Sequence, residues 1–150
     1  MKFFAAIAAL AVAAVANAQY TFTNCATGAT DMTVTGFTLN PYPLCAGQNV
    51  CATITGTLSN PVTSGGSLSV IGRYLNKIVY TDSFDLCTVL SDSGVPCPIA
   101  TTVTSVTACI LVKDTAPVGI PVVLNILANN GNGHVLFNQC ATVTAANCPA

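Results

Sequence analysis

Beyond the first twenty residues, apolar and polar side chains alternate in short runs, and turn-forming residues break the runs apart. A period of two puts successive side chains on opposite faces of an extended strand. Seven runs are predicted to be strands on this pattern: 30–39, 48–58, 66–75, 77–84, 101–112, 120–128 and 134–144. Asn60-Pro61 and Ser64-Gly65-Gly66 separate the second from the third, and Pro96 and Pro98 flank the loop after the fourth. Pro117 and Gly119 precede the sixth, and Asn129-Asn130-Gly131-Asn132-Gly133 makes the last hairpin. No stretch in this region keeps a 3.6-residue apolar period, and β-branched Thr and Val are abundant, so the chain reads as all-β. Seven short strands at this spacing predict an immunoglobulin-like sandwich of two antiparallel sheets. No repeat or interdomain linker interrupts it.

Alternation also selects the inward faces. Val50, Ala52 and Ile54 share one face of the second strand, Leu68, Val70 and Tyr74 one of the third, and Ile120, Val122, Leu124 and Ile126 one of the sixth. These faces are expected to meet between the sheets. Small residues stand at several inward positions, Ala52, Gly56, Gly72 and Ala141, and no tryptophan is available to fill a central space. Such a core either closes tightly or leaves a void. Interiors are normally filled, and periodicity alone leaves both outcomes open.

The N-terminus has a different character. Met1-Lys2, an apolar run from Phe3 to Val15 and the small-x-small step Ala16-Asn17-Ala18 have the form of a signal peptide cleaved before Gln19. A membrane anchor would need about 20 apolar residues. Residues 1–18 are therefore expected to be removed, and 150 − 18 = 132 residues remain, enough for one domain at 19–150 with its own core. All eight cysteines fall in that part, and an even count behind a signal peptide predicts four disulfides made in the secretory pathway. The destination is then the medium or a vacuolar or lysosomal lumen. A metal site is not expected, because there is no CxxC pair and the single histidine, His134, is flanked by Gly133 and Val135. No cofactor motif occurs either.

Charge narrows the partners. After cleavage Arg73, Lys77 and Lys113 oppose Asp31, Asp82, Asp85, Asp92 and Asp114, a balance of 3 − 5 = −2. Three cations cannot neutralise a row of phosphates, which excludes nucleic acid and weakens electrostatic docking on membranes. Catalysis is poorly supplied too. There is no glutamate, no Gly-x-Ser-x-Gly elbow and no phosphate-cradling loop, and His134 sits after Asn132-Gly133 where an exposed turn residue is expected. The chain is not expected to be an enzyme. Arg73 and Lys77 read either as solvated charges on a strand edge or as head-group contacts at a pocket rim.

Several short motifs occur together in a fixed order. Phe22-Thr23-Asn24-Cys25 is followed by Asn40-Pro41-Tyr42-Pro43 and Gly47-Gln48, then by Asp85-Leu86-Cys87 and Cys97-Pro98-Ile99, then by Pro117-x-Gly119, with Cys140 in the last strand. This order resembles the ML lipid-recognition family, which includes Niemann-Pick-type sterol carriers and fungal phosphatidylglycerol/phosphatidylinositol transfer proteins, over Phe22 to Val143. The resemblance implies a sandwich whose sheets splay apart around a sterol or phospholipid. The protein would then be a secreted, monomeric lipid carrier making transient contact with membranes or lipid acceptors. It further implies that the small inward residues line the pocket, together with Val34 and Val143 from the first and last strands and Val50, Ala52, Ile54, Leu68, Val70, Tyr74, Val122, Leu124 and Ile126. Tyr42, Tyr74 and Tyr80 are candidates for head-group selection.

The resemblance pairs Cys25 with Cys140 and Cys87 with Cys97. Cys45, Cys51, Cys109 and Cys148 depart from the family's pattern. Alternation puts Cys51 on the outer face of the second strand, which neighbours the fifth in this fold, so Cys51 with Cys109 and Cys45 with Cys148 is one arrangement; Cys45 with Cys51 and Cys109 with Cys148 is the other. Two functional rivals accompany the carrier reading. A hydrophobin-like coat protein would carry adjacent cysteine doublets, absent here, whereas a closed immunoglobulin-like structural or adhesive module without ligand stays open.

Overall fold

The structure, a computed structural model, describes residues 20–149. The expected signal peptide lies outside these residues. In chain order the elements are β1 (Thr23–Asn24), β2 (Met32–Asn40), β3 (Leu44–Cys45), β4 (Asn49–Leu58), β5 (Ser67–Tyr74), β6 (Lys77–Asp85), α1 (Leu86–Asp92), β7 (Ser105–Leu111), β8 (Val122–Asn129), β9 (Val135–Val143) and β10 (Ala145–Ala146). The seven long strands occupy the seven predicted segments. The count is ten because β1, β3 and β10 have two residues each. Such pairs exist only through their partners elsewhere in the chain, so no local period announces them.

Two sheets face each other. One has the order β1-β9-β8-β5-β6 and the other β2-β4-β7, while β3 and β10 form a short parallel ladder. The pairs within the two large sheets are antiparallel, giving an immunoglobulin-like sandwich. The register places the ends of β2, β5, β7 and β9 and the starts of β4, β6 and β8 together. The β5–β6 turn lies here, at the turn end; the opposite one is the Asp31 end.

α1 is the exception to an all-β reading. Asp85 caps it, its carboxylate accepting from the Thr88 backbone N–H (2.9 Å) and hydroxyl (3.0 Å). Leu86, Val89 and Leu90, at helical spacing, are buried, and Gly94, at φ 85°, ends the turn beyond Ser93. The signal was in the sequence, but over two turns it is too short to stand out as a period.

The Asp31 end is tied by a buried carboxylate. Asp31 accepts from Asn60 Nδ2 (2.9 Å), Asn130 Nδ2 (3.0 Å) and Asn132 Nδ2 (2.8 Å), and its other contact is His134 Nδ1 at 3.1 Å. Its backbone carbonyl accepts from the Ser59 N–H and hydroxyl. Three connections thus converge on one side chain. Burial by itself raises this carboxyl's pKa, but the bonds from Asn130, Asn132, Asn60 and His134 outweigh it and hold it far below the usual carboxylate range. His134, expected as an exposed turn residue, is exposed, and its contact with Asp31 was not foreseen.

The disulfides are Cys25–Cys140, Cys45–Cys148, Cys51–Cys109 and Cys87–Cys97, and no cysteine is free. The alternative pairing of the middle four does not occur. Cys51 and Cys109 are direct cross-strand partners of β4 and β7, which leaves Cys45 to reach the tail beyond β10.

Candidate functional site

Between the sheets lies a cavity of about 150 Å³. The three-stranded sheet contributes Val50, Ala52 and Ile54 from β4 and Val106, Ala108 and Ile110 from β7. The five-stranded sheet contributes Leu68 and Val70, then Val122, Leu124 and Ile126, then Phe137 and Val143. Leu86, Val89 and Leu90 of α1 close part of one side. Among the described residues no charged one reaches the cavity, and Thr104, Ser105 and Tyr80 carry the only side-chain hydroxyls on its wall. A surface of this kind offers apolar contact and exclusion of water, and it holds no nucleophile beside a base.

Nine of the eleven residues expected in a pocket stand on this wall: Val50, Ala52, Ile54, Leu68 and Val70, with Val122, Leu124, Ile126 and Val143. Val34 and Tyr74 do not. In β2 the register slips between Val34 and Gly36, leaving Thr35 unmatched, so alternation reverses and Phe37 and Leu39 become the inward residues. Val34 itself, before the slip and on the face of cavity-lining Met32, packs on the core without lining the cavity. Tyr74 is the last residue of β5, paired with Lys77 at the turn, and lies past the cavity's limit. Of the candidate head-group tyrosines only Tyr80 lines the wall; the Tyr42 hydroxyl instead accepts from the Thr144 N–H (3.1 Å).

The small inward residues need a further correction. Ala52 lines the cavity, whereas Gly56, Gly72 and Ala141 do not. A Cβ on Gly56 would collide with the Thr33 carbonyl, and one on Gly72 would come within 2.7 Å of a Val122 methyl. These positions mark close approach. The small side chains on the cavity wall are alanines, Ala52 and Ala108 among them, and not these glycines. The residues missed on β7 alternate plainly as Val106, Ala108 and Ile110; those on α1 were hidden by the helix's shortness.

The sandwich is bound differently along its two long edges. On the β1/β2 side, Tyr20 packs at a tilt against Tyr42 (4.3 Å between centroids), Phe22 against Phe37 (4.3 Å), and Phe37 meets Phe137 edge-on (6.1 Å). The Tyr20 hydroxyl bonds both the carbonyl and the N–H of Leu39. Cys45–Cys148 and the β3–β10 ladder join the sheets there as well. On the β6/β7 side the ties are polar and few beyond α1. Lys113 donates from its backbone N–H to the Tyr80 hydroxyl (3.2 Å) and from Nζ to the Thr81 carbonyl (2.8 Å), with Asp82 at 3.9 Å. Burial raises the Tyr80 phenol above its ordinary pKa, and neighbouring Asp82 adds to this, so at neutral pH Tyr80 is an uncharged acceptor in this clasp.

The comparisons agree with this architecture. The family model for the ML domain matches residues 19–146. A Niemann-Pick type C2 protein from the Japanese carpenter ant superimposes with a TM-score of 0.64 at 15% identity, covering 84% of this chain and 99% of that one. Chicken MD-1, solved in complex with lipid IVa, superimposes with a TM-score of 0.52 at 12% identity, covering 83% of this chain and 88% of that one. No curated protein matches the sequence. With the family match spanning nearly all of the described fold, the chain belongs to the ML domain family.

Proposed function

We propose that the protein binds one lipid between its sheets and carries it through water, releasing it to a membrane or another lipid acceptor, without chemical change to the lipid. The observation that carries this reading is the apolar, uncharged cavity between the sheets. Burying roughly 400 Å² of lipid surface supplies about 10 kcal/mol of gross driving force, less the ordering cost of association. No reactive group is required. Pockets for ligands of ordinary size run to about 300–1,000 Å³, so a sterol or a phospholipid acyl chain enlarges the 150 Å³ cavity by parting the sheets. The four disulfides and the ML domain match support a lumenal or extracellular workplace. The lipid complex named for chicken MD-1 supports the ligand class.

Leu124→Trp tests the reading, because Leu124, the third residue of β8, lines the cavity. The indole is expected to enter ligand space, leaving stability within about 1 kcal/mol of wild type while abolishing binding of fluorescent sterol and phospholipid delivered from cyclodextrin. A loss of about 3 kcal/mol or more would indicate an overpacked core and favour the closed module. A stable variant with normal binding would put the ligand elsewhere.

A further inference from the structure

The turn end of the sandwich concentrates what the rest of the surface lacks. The exposed large apolar residues among the described residues are Leu75 (78%), Ile78 (57%), Leu111 (55%), Val123 (50%), Val118 (39%) and Val79 (36%). All six belong to the β5–β6 turn, the start of β6, the end of β7, the following loop or the start of β8, and so to one end. Arg73, Lys77 and Lys113, the three cations of the described residues, stand at the same end. The register sets Ile78, Arg73 and Val123 in one row across the outer face, a guanidinium between two exposed aliphatic side chains. Of the five acids only Asp114 and the clasp's Asp82 come near; Asp31 and Asp85 are at the opposite end and Asp92 ends α1. The described residues, whose three cations stand against five acids, thus present a basic, apolar face in one direction.

The β5–β6 turn adds a second observation. Leu75 and Asn76 form its two central residues with φ of 50° and 65°, both left-handed. Asn and Gly suit such positions and leucine does not. Leu75 therefore costs the fold backbone energy and, at 78% exposure, recovers almost none by packing. Its side chain is available to something outside the molecule. The cavity also reaches this end, where half-buried Ala116, Pro117 and Tyr80 belong to its wall.

We infer that the turn end docks on anionic lipid bilayers, with Leu75, Ile78 and their neighbours entering the interface and Arg73 and Lys77 meeting lipid phosphates, while Lys113 stays in its clasp with Thr81 and Asp82. Apolar insertion joined to basic residues is the combination that holds a protein at a membrane surface. The reach of the cavity to the same end lets a lipid pass between bilayer and interior without crossing water. This purpose rests on the carrier reading, but the docking is measured separately.

Flotation with vesicles of phosphatidylcholine alone, or with phosphatidylglycerol added, tests it. Wild type is expected to favour the anionic vesicles, and raised salt should erase the preference. Arg73→Gln/Lys77→Gln should weaken binding to anionic vesicles about 25-fold, at about fivefold per cation, and leave phosphatidylcholine binding unchanged. Leu75→Asn/Ile78→Thr should weaken binding to both kinds by about tenfold or more. Leu75→Asn alone should meanwhile keep or raise the melting temperature, which separates a docking residue from a folding one. Absence of wild-type flotation, variants that float like wild type, or self-association abolished by Leu75→Asn with no flotation would each overturn the proposal. Normal flotation by a protein that takes up no lipid from cyclodextrin would keep the docking and sink the carrier reading.

Discussion

The two long edges of the sandwich enclose the same cavity and are built in opposite ways. The β1/β2 edge is closed by tilted aromatic pairs, a disulfide and a strand ladder. The β6/β7 edge is spanned by one lysine's hydrogen bonds and a two-turn helix. Even its disulfide, Cys87–Cys97, is local: it joins α1 to the following loop and does not bridge the sheets. A sandwich strong along both edges would be a sealed core, and one weak along both would come apart when its sheets separate. On the proposed carrier reading, strength on one side and a polar clasp on the other predict that ligand volume is gained by rotation about the β1/β2 edge.

Disulfide deletion gives the largest expected break in this comparison. Cys45→Ala/Cys148→Ala opens a closure of 103 residues on the strong edge and should cost about 5 kcal/mol, measured by chemical denaturation. Cys87→Ala/Cys97→Ala opens one of 10 and should cost about 3 kcal/mol. The reverse order would mean that the β6/β7 side carries the stability.

Asp31 comes next. Asp31→Asn keeps the shape but removes the charge that Asn60, Asn130 and Asn132 address, and should cost about 3 kcal/mol. The sign of its pH dependence follows from the lowered folded-state pKa. Its contribution is complete above the unfolded value of about 3.9 and is lost as pH falls below it. Denaturation between neutral pH and pH 3 should therefore show the wild type losing stability toward acid more steeply than Asp31→Asn. Parallel curves would remove the ionised form of Asp31 from the account.

The smallest effect on stability belongs to the clasp. Lys113 is about half exposed, and its pairing with Asp82 is solvent-screened, so Lys113→Met should change stability by less than about 1 kcal/mol. Its kinetic effect should be larger, a severalfold faster uptake of fluorescent lipid in stopped flow, because the β6/β7 edge is released. Unchanged uptake would locate the opening motion elsewhere.

Most of the sheet framework was legible because strand alternation is a local property. Val50, Ala52 and Ile54 point inward wherever the neighbouring strand lies, and so do Val122, Leu124 and Ile126. Phe37 and Leu39 were missed since a bulge reverses the alternation after Val34, and the bulge depends on how β2 meets β4. Gly72 was misread for a similar reason, since only the packed structure shows Val122 and Tyr80 crowding its Cα. The three short strands belong wholly to tertiary pairing. The charge balance was legible as a sum, but its meaning lay in position: Arg73, Lys77 and Lys113 are spread over forty-one residues (113 − 73 + 1 = 41) and meet at one end only after folding.

The pairing of β1 with β9 and of β3 with β10 has a consequence for biosynthesis. Cys25 and Cys45 leave the ribosome 115 and 103 residues ahead of their partners, so neither can form its native bond until almost the whole domain has been translated. The β4–β7 and β5–β8 pairings can form earlier, on the nascent chain. A polypeptide stopped short of Cys140 is left with two unsatisfied thiols, Cys25 and Cys45, a chemical mark of incompleteness.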